Sequence, residues 1–190
     1  MDGLLHIDKY CNDLRTLCLK GNQFNNKDGK WLHELALQKM GIESLDFRYF
    51  DIHDVKDLTL LAINCNDFVC WFYVSYNCPN LEVLYTDTVS GDMGLQVIGT
   101  HLKNLRDFKM FLSYRYIKTY LSLNNGIRAM LNGCSKLDRL SIRLQPRHRG
   151  LTYVGLGYIG KYGHNLRYLY LRYVGESDAG LVELSKGARN

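Results

Sequence analysis

Three short stretches of this chain together collect cations and aromatic residues: "DFKMF" at 107–111, "RLSIR" at 139–143 and "YLYLR" at 168–172. Taking every second residue sets Lys109 beside Phe111, Arg139 and Arg143 around Ser141, and Tyr168 and Tyr170 before Arg172. A guanidinium with aromatic neighbours suits a small carboxylate or phosphate, because its rigid fork of N–H donors meets two oxygens at once. Further upstream, "VLYTD" at 83–87 places Tyr85 and Asp87 on the same alternation, so an acid enters an otherwise cationic series. The competing reading is a solvated face whose charge is incidental.

Residue types able to catalyse are present, but not at catalytic spacing. The six histidines, His6, His33, His53, His101, His148 and His164, form no HExxH pair, and neither GxSxG nor a P-loop occurs. The run "GLGYIG" from Gly155 imitates a glycine-rich phosphate loop, yet it occupies a helical segment with no βαβ strand before it. It reads as helix packing. The six cysteines, Cys11, Cys18, Cys65, Cys70, Cys78 and Cys134, make no CxxC pair and read as reduced thiols rather than disulfides or metal ligands. The sequence therefore assigns no catalytic residue and no metal, and the chain is expected not to be an enzyme.

Composition narrows the partners. The 190 residues are 46% hydrophobic and 23% charged, an ordinary soluble balance in which no apolar run reaches the roughly 18 residues of a membrane helix. The N-terminus has no signal-peptide core, so the expected location is nucleus or cytoplasm. Residues 1–100 carry 8 Lys and Arg against 14 Asp and Glu, net −6; residues 101–190 carry 16 against 5, net +11. A basic half admits an acidic ligand or partner. No groove-entering or base-stacking motif favours nucleic acid, and nothing favours a membrane.

The elements that must position these residues come from a repeat. An apolar residue, two variable positions, an apolar residue, one variable position and a further apolar residue recur in "LRTLCL" from Leu14, "IESLDF" from Ile42 and "LEVLYT" from Leu81. The pattern continues in "LRDFKM" from Leu105, "LDRLSI" from Leu137 and "LRYLYL" from Leu166, with a weaker copy, "FVCWFY", from Phe68. Cysteine stands three positions before several copies, and segments such as "GLQVIGTHL" and "GIRAMLNGC" carry helical apolar spacing between them, with Asp92, Thr152 and Asp178 among the candidate N-caps. One strand and one helix per unit, stacked side by side, is a leucine-rich repeat. The expected fold is an α/β leucine-rich-repeat solenoid of the cysteine-containing type, a right-handed superhelix with a parallel sheet on its concave face. It forms one domain over 1–190, with about six to seven repeats.

The spacings carry a second message. Successive copies lie 28, 26, 13, 24, 32 and 29 residues apart. A unit needs about 20–29 residues, so 13 leaves no room for a helix between Phe68 and Leu81. The chain is expected to be irregular around 68–80, and the 32-residue step holds an insertion, "SYRYIKTYLSLNN". Neither end shows a polar capping unit, the pattern of a piece of a longer protein.

With these residues in place, a family resemblance can be stated. "DGLLHIDKYCNDLRTL", "NCPNLEVL", "GTHLKNLRDF", "LNNGIRAMLNGCSKL" and "YVGESDAGL" resemble the plant coronatine-insensitive jasmonate receptors, which are F-box leucine-rich-repeat proteins. The resemblance is not collinear: whole repeats of the family have no counterpart here, and no F-box is present. It implies a substrate-recognition subunit of an SCF-type ubiquitin ligase, acting in jasmonate signalling and plant defence. Its concave face would bind jasmonoyl-isoleucine, inositol phosphate and the degron of a jasmonate-responsive transcriptional repressor. A Skp1-type adaptor would join only through an F-box in a longer form. The resemblance further implies that Asp87 stands where the family has an anion-contacting arginine, Lys109 where it has another, and Arg143 where it has a hormone-contacting tyrosine. At about 4 Å and an effective dielectric near 20, replacing a cation by Asp87 turns an attraction of about 4 kcal/mol into a repulsion of similar size. This opposes inositol phosphate. The alternative reading is a generic protein-interaction fragment or relic that binds no hormone.

Overall fold

The computed structural model describes residues 11, 13–18, 41–46, 78–86, 91–112, 121–146, 149–175 and 178–187. Among the described residues six strands form one parallel sheet in sequence order: β1 (Thr16–Cys18), β2 (Ser44–Asp46), β3 (Val83–Thr86), β4 (Asp107–Phe111), β5 (Arg139–Arg143) and β6 (Tyr168–Arg172). Four described helices lie between or after the later strands: α1 (Gly91–His101), α2 (Asn124–Gly133), α3 (Tyr153–Tyr162) and α4 (Ala179–Gly187). Strands that alternate with helices and pair in sequence order make an α/β solenoid of leucine-rich repeats.

The apolar positions of the repeat make the ladder behind the sheet. Leu17, Leu45, Leu84, Phe108, Leu140 and Leu169 stand opposite one another across all six strands. Four of them, Leu45, Leu84, Phe108 and Leu140, are completely buried. Their side chains alternate with those that face the concave side, since strand residues point to opposite faces in turn. Burying one such leucine or phenylalanine contributes about 1.5–3 kcal/mol, so the ladder sets which strand residues face out.

β2 is hydrogen-bonded directly to β3, with Leu45 opposite Leu84. No lane is left between them for a strand from Phe68. Residues 68–73 lie outside the described residues. The 26- and 13-residue steps thus merge into a single span of 39 residues from Ile42 to Leu81.

Glycines bring the helices of successive repeats together. A Cβ on Gly133 would lie 1.9 Å from the Gly99 carbonyl oxygen, so α1 and α2 meet backbone to backbone. Lys103 closes this seam by donating to the Gly99 carbonyl at 2.6 Å and the Gly133 carbonyl at 3.2 Å, where helix ends leave carbonyls unmet. The expected cap at Thr152 is present: its hydroxyl accepts the Val154 amide of α3. Asp92 acts differently. It lies inside the first turn of α1, and its carboxylate accepts the Gly126 amide of α2 at 2.7 Å, which ties one repeat to the next. The "GLGYIG" run lies in α3, where Gly155 is pressed against Leu151 and Asn124, as helix packing requires.

Cys78 and Cys134 are buried free thiols, whereas Cys11 and Cys18 are exposed. No described helix is long and apolar enough to cross a membrane.

Candidate functional site

Register sorts the concave residues into rows. The first holds Thr16, Ser44, Val83, Asp107, Arg139 and Tyr168; the second holds Cys18, Asp46, Tyr85, Lys109, Ser141 and Tyr170. Phe111, Arg143 and Arg172 make the third. Tyr85, Lys109, Arg139, Arg143, Tyr170 and Arg172 therefore lie on the alternate strand positions that the repeat assigns them. Asp87, the remaining candidate, lies outside the described residues, as does the insertion segment 113–120.

Lys109 is engaged within its own face. Its ammonium donates to the Tyr85 hydroxyl at 2.7 Å and sits 4.1 Å from the centre of the Tyr85 ring. The Tyr85 hydroxyl in turn donates to Asp107 at 2.7 Å, and Lys109 lies 3.5 Å from the same carboxylate oxygen. Burial pushes the Tyr85 hydroxyl above its usual value; the Lys109 hydrogen bond opposes this and the Asp107 carboxylate adds to it. Burial would lower Lys109, but the Tyr85 hydroxyl and the Asp107 carboxylate outweigh it and leave the ammonium raised. The trio thus holds a proton on each of its two donors and shares one negative charge with one positive charge.

Arg143 has a different setting. Its guanidinium stacks over Phe111, 4.4 Å from the ring centre. Its Nε is buried and has no hydrogen-bond partner among the described residues. A buried charged donor left unmet costs more than the net value of a made hydrogen bond, so it favours any acceptor that reaches it. Arg139 is the register partner of Asp107 across β4 and β5. The carboxylate nevertheless turns toward Tyr85, and Arg139 remains exposed with no ion pair among the described residues. The other oxygen of Asp107 is buried and has no hydrogen-bond partner among the described residues.

Arg172 is held by tyrosines. It donates to the Tyr173 hydroxyl at 3.1 Å and lies 4.9 Å from the centre of that ring. The Tyr173 hydroxyl first, then Tyr170, raise the Arg172 pKa and keep it charged. Tyr173 adopts φ of 56°, a left-handed conformation that a bulky side chain rarely takes. Tyr173 and Asp107 are the two partners that the repeat pattern left out of the candidate site. The signal for Asp107 was its place two residues before Lys109 on one strand face. Nothing in the local pattern marks Tyr173 beyond its position next to Arg172.

A six-stranded parallel sheet with one apolar ladder behind it and rows of cations and aromatics in front defines a leucine-rich-repeat protein. No protein-family model matches the chain. It is 28% identical to coronatine-insensitive protein 1 of Arabidopsis thaliana, over 338 positions that take in the whole chain and 57% of that protein. It is 43% identical over 118 residues to coronatine-insensitive protein homolog 2 of Oryza sativa subsp. indica, covering 60% of this chain and 19% of that protein. It is also 30% identical to GRR1-like protein 1 of Arabidopsis thaliana, over the whole chain and 31% of that protein. The chain is a homologue of the coronatine-insensitive proteins, and it spans little more than half the length of the Arabidopsis relative. A 338-position match to 190 residues leaves at least 148 positions of the alignment, 338 less 190, facing gaps in this chain. The relative is longer within the matched region itself, in keeping with the irregular repeat spacing.

Proposed function

We propose that the concave face is the ligand- and substrate-recognition surface of a coronatine-insensitive-like subunit, binding jasmonoyl-isoleucine and the degron of a jasmonate-responsive repressor. The observation that carries this reading is Arg143, stacked on Phe111 with a buried, unmet Nε and flanked along its row by Arg172. An arginine placed in this way meets a carboxylate joined to an apolar body, since the fork takes the oxygens and the rings take the hydrocarbon. The subunit recognises and does no chemistry; ubiquitin transfer belongs to the SCF-type complex it serves, in the nucleus or cytoplasm. A Skp1-type adaptor would join only if an F-box exists in a longer form. Inositol phosphate is the less favoured occupant, because the family resemblance puts Asp87 in the place of an anion-contacting arginine.

Hormone-dependent capture of a jasmonate-responsive repressor by the purified chain tests the reading. Recovery only when jasmonoyl-isoleucine is added is the expected result; equal recovery with and without saturating hormone would overturn it. A second reading, a protein-interaction fragment that binds no hormone, is favoured by the Tyr85–Asp107–Lys109 trio, which engages a cation the family would turn toward the ligand. Hormone-independent capture is the result expected from that reading.

A further inference from the structure

Two glycines, two residues apart in α3, stand in different surroundings. A Cβ on Gly155 would strike the Leu151 side chain at 2.3 Å and the Asn124 side chain at 2.5 Å, so packing against the preceding repeat demands glycine there. A Cβ on Gly157 would meet nothing nearer than the Glu183 Cβ, at an ordinary 3.6 Å. Packing therefore does not account for a poor helix former at that position. Its missing side chain instead leaves open a groove of about 570 Å³ between α3 and α4, on the helix side of the solenoid and away from the concave face.

The groove is built from two kinds of group. Tyr153, Val154 and Tyr158 give it apolar walls, and Tyr153 is 54% exposed. Lys161 and Lys186 stand among its lining residues, and Arg128 of the preceding repeat stacks over Tyr158, 5.3 Å from the ring centre. Glu183 is the acid of the lining, and Lys186 holds it at 2.6 Å. Two lysines and one carboxylate thus line the groove, with Arg128 beyond Tyr158 at its edge, within a half of the chain that carries 16 Lys and Arg against 5 Asp and Glu. Such a field attracts an acidic segment, and an apolar cleft beside it selects a segment that also offers an apolar side chain.

We propose that this groove docks an acidic peptide segment of a partner protein. A bulky apolar side chain sits over Gly157, and flanking carboxylates meet Lys161 in the groove and Arg128 beyond Tyr158, Lys186 being taken up by Glu183. The surface is independent of the concave face and gives the protein a second point of contact. A nucleic acid would use the same cations but would leave the apolar cleft empty.

Fluorescence anisotropy on the whole chain tests this with a labelled Glu-Asp-Phe-Asp-Glu peptide. Saturable binding with Kd on the order of 100 µM is expected, weakened about tenfold when the Phe is replaced by Ala. Gly157→Leu fills the groove and removes binding while the thermal unfolding midpoint stays close to that of the parent. Lys161→Glu, at an exposed position, weakens binding about tenfold through charge alone. Arg143→Ala, on the concave face, leaves this binding unchanged, so failure here is separable from failure of the hormone reading. Three results would overturn the proposal: no binding at about 1 mM protein, equal binding of the Ala peptide, or undiminished binding by a folded Gly157→Leu variant.

Discussion

Lys109 and Arg143 are both concave cations beside an aromatic ring, on neighbouring strands, and their surroundings give them opposite roles. Lys109 is enclosed by Tyr85 and Asp107, which meet its charge and its hydrogen bonds from within the protein. Arg143 rests on Phe111 with an Nε that nothing described satisfies. A cation already paired contributes little to an incoming anion, because breaking its own contacts offsets what the ligand supplies. The number of basic residues on a face therefore overstates its capacity for anions, and the neighbouring strand decides which of them remain open.

The largest test of this comparison attacks the seam behind the two strands. Gly133→Val would force α2 away from the Gly99 carbonyl of α1, and because the contact is backbone on backbone, no side chain can yield. A loss of about 3 kcal/mol is expected in urea denaturation. An unchanged midpoint would mean that the helices behind β4 and β5 do not touch as described.

The next test separates the two cations directly. Titration calorimetry with jasmonoyl-isoleucine should show Arg143→Ala weakening binding by about tenfold or more, the scale of a lost charge-assisted pair. Asp107→Asn should move affinity in the other direction by about threefold, since it removes the carboxylate that neutralises Lys109. Equal effects of the same sign would erase the distinction between a closed and an open cation.

The smallest effect lies beneath the sheet. Cys78, at the entry to β3, is pushed up to about 11 by burial, and Cys134, at the entry to β5, to about 12, with nearby Lys103 pulling slightly the other way. Each folded pKa lies above the unfolded value, so the folded chain keeps a proton that the unfolded chain releases. The stabilisation is complete below about pH 9 and declines as pH rises, by about 1 kcal/mol per thiol near pH 10. Urea denaturation at about pH 8 and about pH 10 measures it, and Cys134→Ala should remove its share of the slope. A slope that survives in the variant would assign the alkaline loss to other groups.

Much of the framework was legible in the residue pattern. Spacing of Leu81, Leu105, Leu137 and Leu166 placed four strands, and alternation within each placed Tyr85, Lys109, Arg143 and Tyr170 on one face, because a strand has only two faces and the ladder claims one. The Phe68 copy has no place between β2 and β3. A short apolar run matches a strand motif by composition, whereas only pairing decides where it can enter a sheet. Asp92 was legible as a helix-terminal acid but not as a link to the next repeat, since the Gly126 amide is supplied by a residue 34 positions away.

For this protein the sequence by itself determined the repeat, the buried ladder, the concave rows and the kinship with coronatine-insensitive proteins, all of which follow from local period and residue type. Tertiary structure decided that Asp107 turns to Tyr85 rather than to Arg139, that the Arg143 Nε lies buried beside Phe111 with no partner among the described residues, and that Gly157 opens a groove where Gly155 closes a contact. Those outcomes depend on distances between strands and helices of different repeats. A side chain's partner is chosen among neighbours that the chain brings together only once it has folded.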